Sequence, residues 1–168
     1  MSGEFLKGDP MNKKAVVFWV LTFIIMAVIF HFSSQTAVES TDVSNSFSEQ
    51  IIRILQPVTK ITEEEIPSAV ESMDGMIRVA AHYAVFLLLG TTCYLAVYFT
   101  KDRRHLYKSL YSVGICTAYA IADEIHQFFV PGRSFQVSDI LTDTAGVITG
   151  TAIAFGIIML IKRKKASV

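Results

Sequence analysis

The chain has 168 residues, of which 52% are hydrophobic and 18% charged, and its 15 basic and 15 acidic residues cancel to zero net charge. Soluble domains carry about 25% charge, so this composition excludes an ordinary soluble globule. The balanced charge gives no basic excess for a nucleic acid, and no such partner is expected.

Residues 1–10 read unlike the rest. They look like a cloning remnant ahead of a native start at Met11-Asn12-Lys13-Lys14, so a single integral membrane domain is expected over 11–165. Four apolar stretches follow, approximately 15–32, 79–99, 110–130 and 140–161. Each is near the roughly 20 residues that a helix needs to cross a bilayer core. The predicted fold is therefore all-α, a four-transmembrane-helix bundle with short extracellular amphipathic helices between the first and second spans. The first stretch has the basic flank of a signal peptide. No small-x-small cleavage site follows it, however, and Phe30-His31-Phe32 is bulky there, so it is read as a retained span.

Between the first two spans, Phe47, Ile51, Ile54 and Leu55 recur at helical spacing. They predict a helix over 44–56, stopped before Pro57. Thr62 with Glu65 fits a capping box that opens a second helix. Such helices either pack on the bundle and headgroup zone or form a lid, and the pattern does not separate the two. In the last span, Gly146 and Gly150 form a small-xxx-small pair that permits close helix approach, within the bundle or as a homo-oligomer seam. Cys93 and Cys116 fall inside spans, so they are read as apolar filler rather than disulfide partners.

The charges are sorted by loop. Lys7, Lys13 and Lys14 precede the first span. Lys101, Arg103, Arg104 and Lys108 lie between the second and third, and Lys162 to Lys165 follow the fourth. Only Arg53, Lys60, Arg78 and Arg133 remain for the other side. The positive-inside rule then puts both termini in the cytoplasm and loops 33–78 and 131–138 outside.

With that orientation, polar residues from four spans converge near the outer face. The first contributes Ser34 and Gln35 at its exit. The second contributes Arg78 and His82, four residues apart and so on one face. The third carries Asp123, Glu124 and Gln127 on one stripe, with Asp123 about 10 Å below its outer end. The fourth adds Asp139 and Asp143. An ionised side chain at the bilayer centre costs roughly 2.5–3.5 kcal/mol on insertion scales, so adjacent acids within a span ask for a purpose. Carboxylates crowded beside His82 suit general acid–base chemistry. They also suit a hard cation, with Mg²⁺ expected before softer metals, and Mn²⁺ or Ca²⁺ as alternatives. The turn Pro131-Gly132-Arg133-Ser134 can bring Arg133 over the pocket, where its planar fork fits a phosphate. Each residue also has a plainer reading. Arg78 can simply pair with Asp123 or Asp139, and Asp139 can serve the helix dipole. His31 and His126 are placed near headgroups, outside the site.

The run Ala122-Asp123-Glu124-Ile125-His126-Gln127-Phe128-Phe129-Val130-Pro131-Gly132-Arg133, followed by Asp139 and Gly146, resembles the signature of VanZ-like membrane proteins. Phe32-Ser33-Ser34-Gln35 and the Arg78/His82 pair match that pattern too, and the resemblance extends from about Met11 to Lys162. Asp143 departs from it, standing where many members have Asn. The resemblance implies a place in the bacterial cell envelope and, for the family's namesake, low-level teicoplanin resistance. It brings no settled reaction. The expected protein is an enzyme on the outer face of the plasma membrane, acting on the headgroup or phosphate linkage of an envelope lipid or lipid-linked cell-wall precursor. In that reading Glu124 and Asp123 are the acid–base pair, His82 shuttles a proton or binds metal, Arg78 and Arg133 clamp an anion, and Gln127 and Asp139 orient these groups. The alternatives are a non-catalytic binder of a lipid or glycopeptide, and a small proton-coupled transporter.

Overall fold

A computed structural model describes residues 12–100 and 104–167. Residues 1–10, read as a cloning remnant, lie outside the described residues, as do Lys7, Lys101 and Arg103 of the charge pattern. The described chain is five helices in the order α1 (Lys13–Ser33), α2 (Ala37–Thr59), α3 (Ile66–Thr100), α4 (His105–Phe128) and α5 (Val137–Ala166), with no strand among them.

Each predicted span falls on one helix, α1, the C-terminal part of α3, α4 and α5, although the third, 110–130, overruns the end of α4 at Phe128. By length and composition, three of the four are apolar enough to cross a membrane, namely α1, α3 and α5. α4 is 24 residues long, enough to span, but Asp123, Glu124 and Gln127 lower the apolarity of its last third. The full four-span bundle is therefore not established by composition alone.

The segment between α1 and α3 departs from expectation in two ways. α2 starts seven residues earlier than predicted, because Thr36 caps it. The Thr36 hydroxyl accepts from the Glu39 N–H, and the Glu39 carboxylate accepts from the Thr36 N–H at 2.8 Å. It also runs through Pro57 rather than stopping before it. Proline lacks only the one amide that would bond back to residue 53, and this close to a helix end the loss is tolerated. The helix closes at Lys60, whose left-handed φ of 58° turns the chain. Arg53 then bonds both Glu49 (2.8 Å) and Glu63 (3.2 Å), fastening the end of α2 to the following turn.

The second departure is that the predicted second amphipathic helix is not separate. Thr62 and Glu65 do pair at 2.9 Å, but the helix that starts at Ile66 continues unbroken into the second span, giving α3 35 residues. Gly75 does not interrupt it, since a lone glycine weakens a helix without ending it.

α3 is the central element and packs against every other helix, most extensively against α5. Three glycines set that approach. A Cβ on Gly146 would lie 2.5 Å from the Tyr83 carbonyl oxygen, and one on Gly90 or Gly150 would strike the backbone of Val147 or Leu87. The close contact that Gly146 and Gly150 permit is thus used inside the chain. Phe86, Leu89, Cys93, Cys116, Ala120 and Val147 form the core around it, and both cysteines are free thiols buried there.

Candidate functional site

Polar side chains are turned inward at one end of this bundle. On α4 the buried residues are Lys108, Ser112, Cys116, Ala120, Asp123, Glu124 and Gln127, one stripe of polar or small residues. The outward faces carry Leu110, Ile115, Ile121, Ile125 and Phe128. This is the reverse of a helix in water and the arrangement expected in lipid.

The inward residues are interlocked. Gln127 donates to Asp123 Oδ2 at 2.9 Å and accepts from Arg133 Nη1 at 2.5 Å, while Arg133 Nε donates to the Gln35 carbonyl at 3.2 Å. The loop after α4 is thereby tied to the end of α1. Gly132 makes this turn with φ 78° and packs against Ala37, whose N–H reaches the Pro131 carbonyl at 3.3 Å. On the facing helices, His82 Nδ1 lies 3.3 Å from Asp143 Oδ1, and Asp143 is buried.

These groups border two cavities that meet at Arg78 and His82. The larger has a volume of about 350 Å³, within the usual range of ligand pockets. Val28, Ile29 and Phe32 of α1, Val43 and Phe47 of α2, and Ile77, Val85 and Phe86 of α3 give it apolar walls. Gln35, Ser44, Arg78, His82, Asp123 and Arg133 supply its polar groups. The smaller, about 230 Å³, is bounded by Asp74, Arg78, His82, Gln136, Asp139 and Thr142.

Of the residues singled out from sequence, Gln35, Arg78, His82, Asp123 and Arg133 line the larger cavity. Asp139 lines the smaller, and Gln127 and Asp143 support them from behind. Two stand elsewhere. Glu124 accepts from the Gln136 N–H at 2.6 Å and lines neither cavity, holding the start of α5 against the end of α4. Ser34 pairs with His126 Nε2 at 3.1 Å, and the His126 ring stacks on Phe30 at 4.6 Å, away from the pocket.

Arg78 does not pair with Asp123 or Asp139. Its partners are Asp74, one turn back on the same helix at 3.3 Å, and Thr41 of α2 at 3.2 Å. Asp74, Thr41 and Ser44 were not foreseen as site residues. The Asp74/Arg78/His82 spacing of four, readable once α3 is known to begin at Ile66, would have found the first of them. Burial lowers the Arg133 pKa from its ordinary value, and the neighbouring Arg78 guanidinium lowers it further, against the opposing pull of Asp123, Glu124 and Asp139. Two guanidiniums that repel across a cavity wall favour an anion between them. Among the described residues, no three His, Cys, Asp or Glu side chains stand together as a metal site. His82 has Asp143 as its carboxylate partner.

Inward polar stripes, outward apolar faces and three helices fit to cross a bilayer define a helical membrane protein. Residues 18–161 match the model of the VanZ/LLP1 family, and the chain belongs to that family. No curated protein and no solved structure matches it.

Proposed function

We propose that this protein is an envelope enzyme that acts on the anionic headgroup or phosphate linkage of a membrane lipid or lipid-linked precursor. In this reading α4 is a fourth span, both termini are cytoplasmic and the larger cavity opens at the outer face of a bacterial plasma membrane. The reverse polarity of α4 supports its place in the bilayer. One observation carries the function: a cavity with apolar walls on three helices whose polar groups include Arg78, Arg133, His82 and Asp123. Apolar walls suit an acyl or isoprenoid chain, and paired guanidiniums suit a phosphate.

Within it, the proton-transfer role falls to His82 rather than Glu124. Asp143, 3.3 Å from Nδ1, fixes the orientation and tautomer of the ring. Asp123 faces the same cavity, held by Gln127. Arg78 and Arg133 neutralise the anion, and Asp139 borders the chamber on the far side of His82. A change in an envelope lipid is also a route by which such a protein would alter sensitivity to a glycopeptide such as teicoplanin.

The test is purified protein incubated with bacterial envelope lipids, followed by mass spectrometry, beside His82→Gln. A lipid consumed by the wild type alone supports the enzyme. A lipid retained unchanged by both makes the protein a binder, and a lipid ignored by both refutes the reading.

A further inference from the structure

Resting on the anionic-amphiphile reading above, the chemistry of the bound polar group can be narrowed. Among the described residues, three that line the larger cavity carry a buried side-chain atom with no hydrogen-bond partner: Ser44 Oγ, Arg78 Nε and Asp123 Oδ1. They come from three different helices, α2, α3 and α4. Asp123 and Ser44 are themselves buried, at 4% and 8% exposure. Buried polar atoms are nearly always paired, and leaving one unpaired costs about 1–3 kcal/mol. Three such atoms among the residues that line one cavity suit a ligand that exchanges hydrogen bonds with them.

The polarity of the orphans defines that occupant. Arg78 Nε is a donor and asks for an acceptor. Asp123 Oδ1 is an acceptor, because Gln127 already satisfies Oδ2, and it asks for a donor. Ser44 serves either way. A bare anion satisfies the arginines but sets its own negative oxygen against Asp123. A cation satisfies Asp123 and is repelled by Arg78 and Arg133.

We infer that the cavity takes an amphiphile whose polar end carries an anionic oxygen together with a hydroxyl hydrogen. The anionic oxygen accepts from Arg78 and Arg133, and the hydroxyl donates to Asp123. Two sources present this chemistry. One is a terminal phosphate monoester, which retains a proton on part of its population near neutral pH. The other is a phosphodiester bearing a free alcohol, as in a phosphoglycerol. A diester with both positions capped lacks the donor and is excluded.

The test uses purified full-length protein in detergent and five probes of one chain length, with affinities read by calorimetry. The probes are dodecyl phosphate, dodecyl phosphoglycerol, methyl dodecyl phosphate, dodecanol and dodecyltrimethylammonium. Either or both of the first two are expected to bind at least tenfold more tightly than methyl dodecyl phosphate, and which of them does so identifies the source. Asp123→Ala should abolish this preference, so that the hydroxyl-bearing probes and the methyl diester bind alike. The wild-type ranking decides the matter even if that variant does not fold. If the methyl diester binds as well as the hydroxyl-bearing probes, the orphaned atoms are served by water and the inference falls, while the anionic reading stands. If no anionic probe outcompetes dodecanol and dodecyltrimethylammonium, the anionic-amphiphile reading itself fails.

Discussion

Gly150 sits where a single added carbon would strike the Leu87 backbone and the Thr91 hydroxyl, and Gly146 is pressed as closely on Tyr83. Backbone cannot yield as a flexible side chain can. Gly150→Ala should therefore destabilise the bundle by about 1–3 kcal/mol, the usual range for overpacking. Gly156, on the same helix, has nothing within 4 Å of its added carbon, so Gly156→Ala should leave stability unchanged or slightly raised. Thermal unfolding in one detergent compares the two directly, and equal losses would mean that α3 and α5 do not approach as described. The Gln127 side chain provides a second residue-level test. It is shared between Asp123 and Arg133, and Gln127→Leu keeps its bulk while removing both bonds. Each partner left unpaired costs about 1–3 kcal/mol. Unfolding should show a loss of about 2 kcal/mol or more, and a neutral result would show that water replaces the amide at little cost.

At the scale of the element, α2 shows how a terminal cap sets a boundary that a hydrophobic pattern misses. Phe47, Ile51 and Ile54 mark the middle of the helix, but its start is set by the Thr36/Glu39 box, which was present in the sequence as Thr-x-x-Glu. Thr36→Ala should cost about 1 kcal/mol of local stability, read as faster amide exchange in the first turn of α2. The same turn should respond to acid. The Thr36 backbone N–H, and then its hydroxyl, lower the Glu39 pKa from its ordinary value. Its contribution is complete above the ordinary carboxylate range and is lost as pH falls through the lowered, folded value. Exchange protection at residues 38–40 should therefore decline below about pH 4, and Glu39→Gln should flatten that dependence. The continuity of α3 was less legible. The Thr62/Glu65 box predicts a second, short helix, yet among Ser68–Met76 there is no proline to stop the helix that Ile66 begins. Pairings across helices were the least legible. The stripe through Asp123, Glu124 and Gln127 was readable, but neighbouring residues on a helix point about 100° apart. The stripe alone therefore does not say which of Asp123 and Glu124 borders the cavity, and packing decides it. His82 with Asp143 likewise depends on helix rotations, and Arg133 with Gln127 on the path of the loop after α4, neither of which a local pattern contains.

For the molecule as a whole, the proposed topology turns on α4, which the site residues make more polar than α1, α3 and α5. The polar side chains of α4 point into the bundle, so its outward face is apolar, which is the surface that a fourth span, as proposed, would set against lipid. The two topologies differ in a way that one labelling experiment resolves. With four spans, the loop carrying Ser134 is outside and Ser167 inside. If α4 does not cross, α5 must run outward, so Ser134 lies inside and Ser167 outside. Both positions are exposed, whereas Cys93 and Cys116 are buried. Replacing the native cysteines with alanine therefore gives a quiet background. Ser134→Cys should react with a membrane-impermeant maleimide on intact cells, and Ser167→Cys only after the membrane is opened. The reverse pattern would either remove α4 from the bilayer and part Arg133 from the end of α1, or, with the whole bundle inverted, turn the cavity to the cytoplasm. Arg78, Arg133 and Asp123 would then face a soluble or inner-leaflet ligand, and the proposed substrate would lie on the wrong side of the membrane.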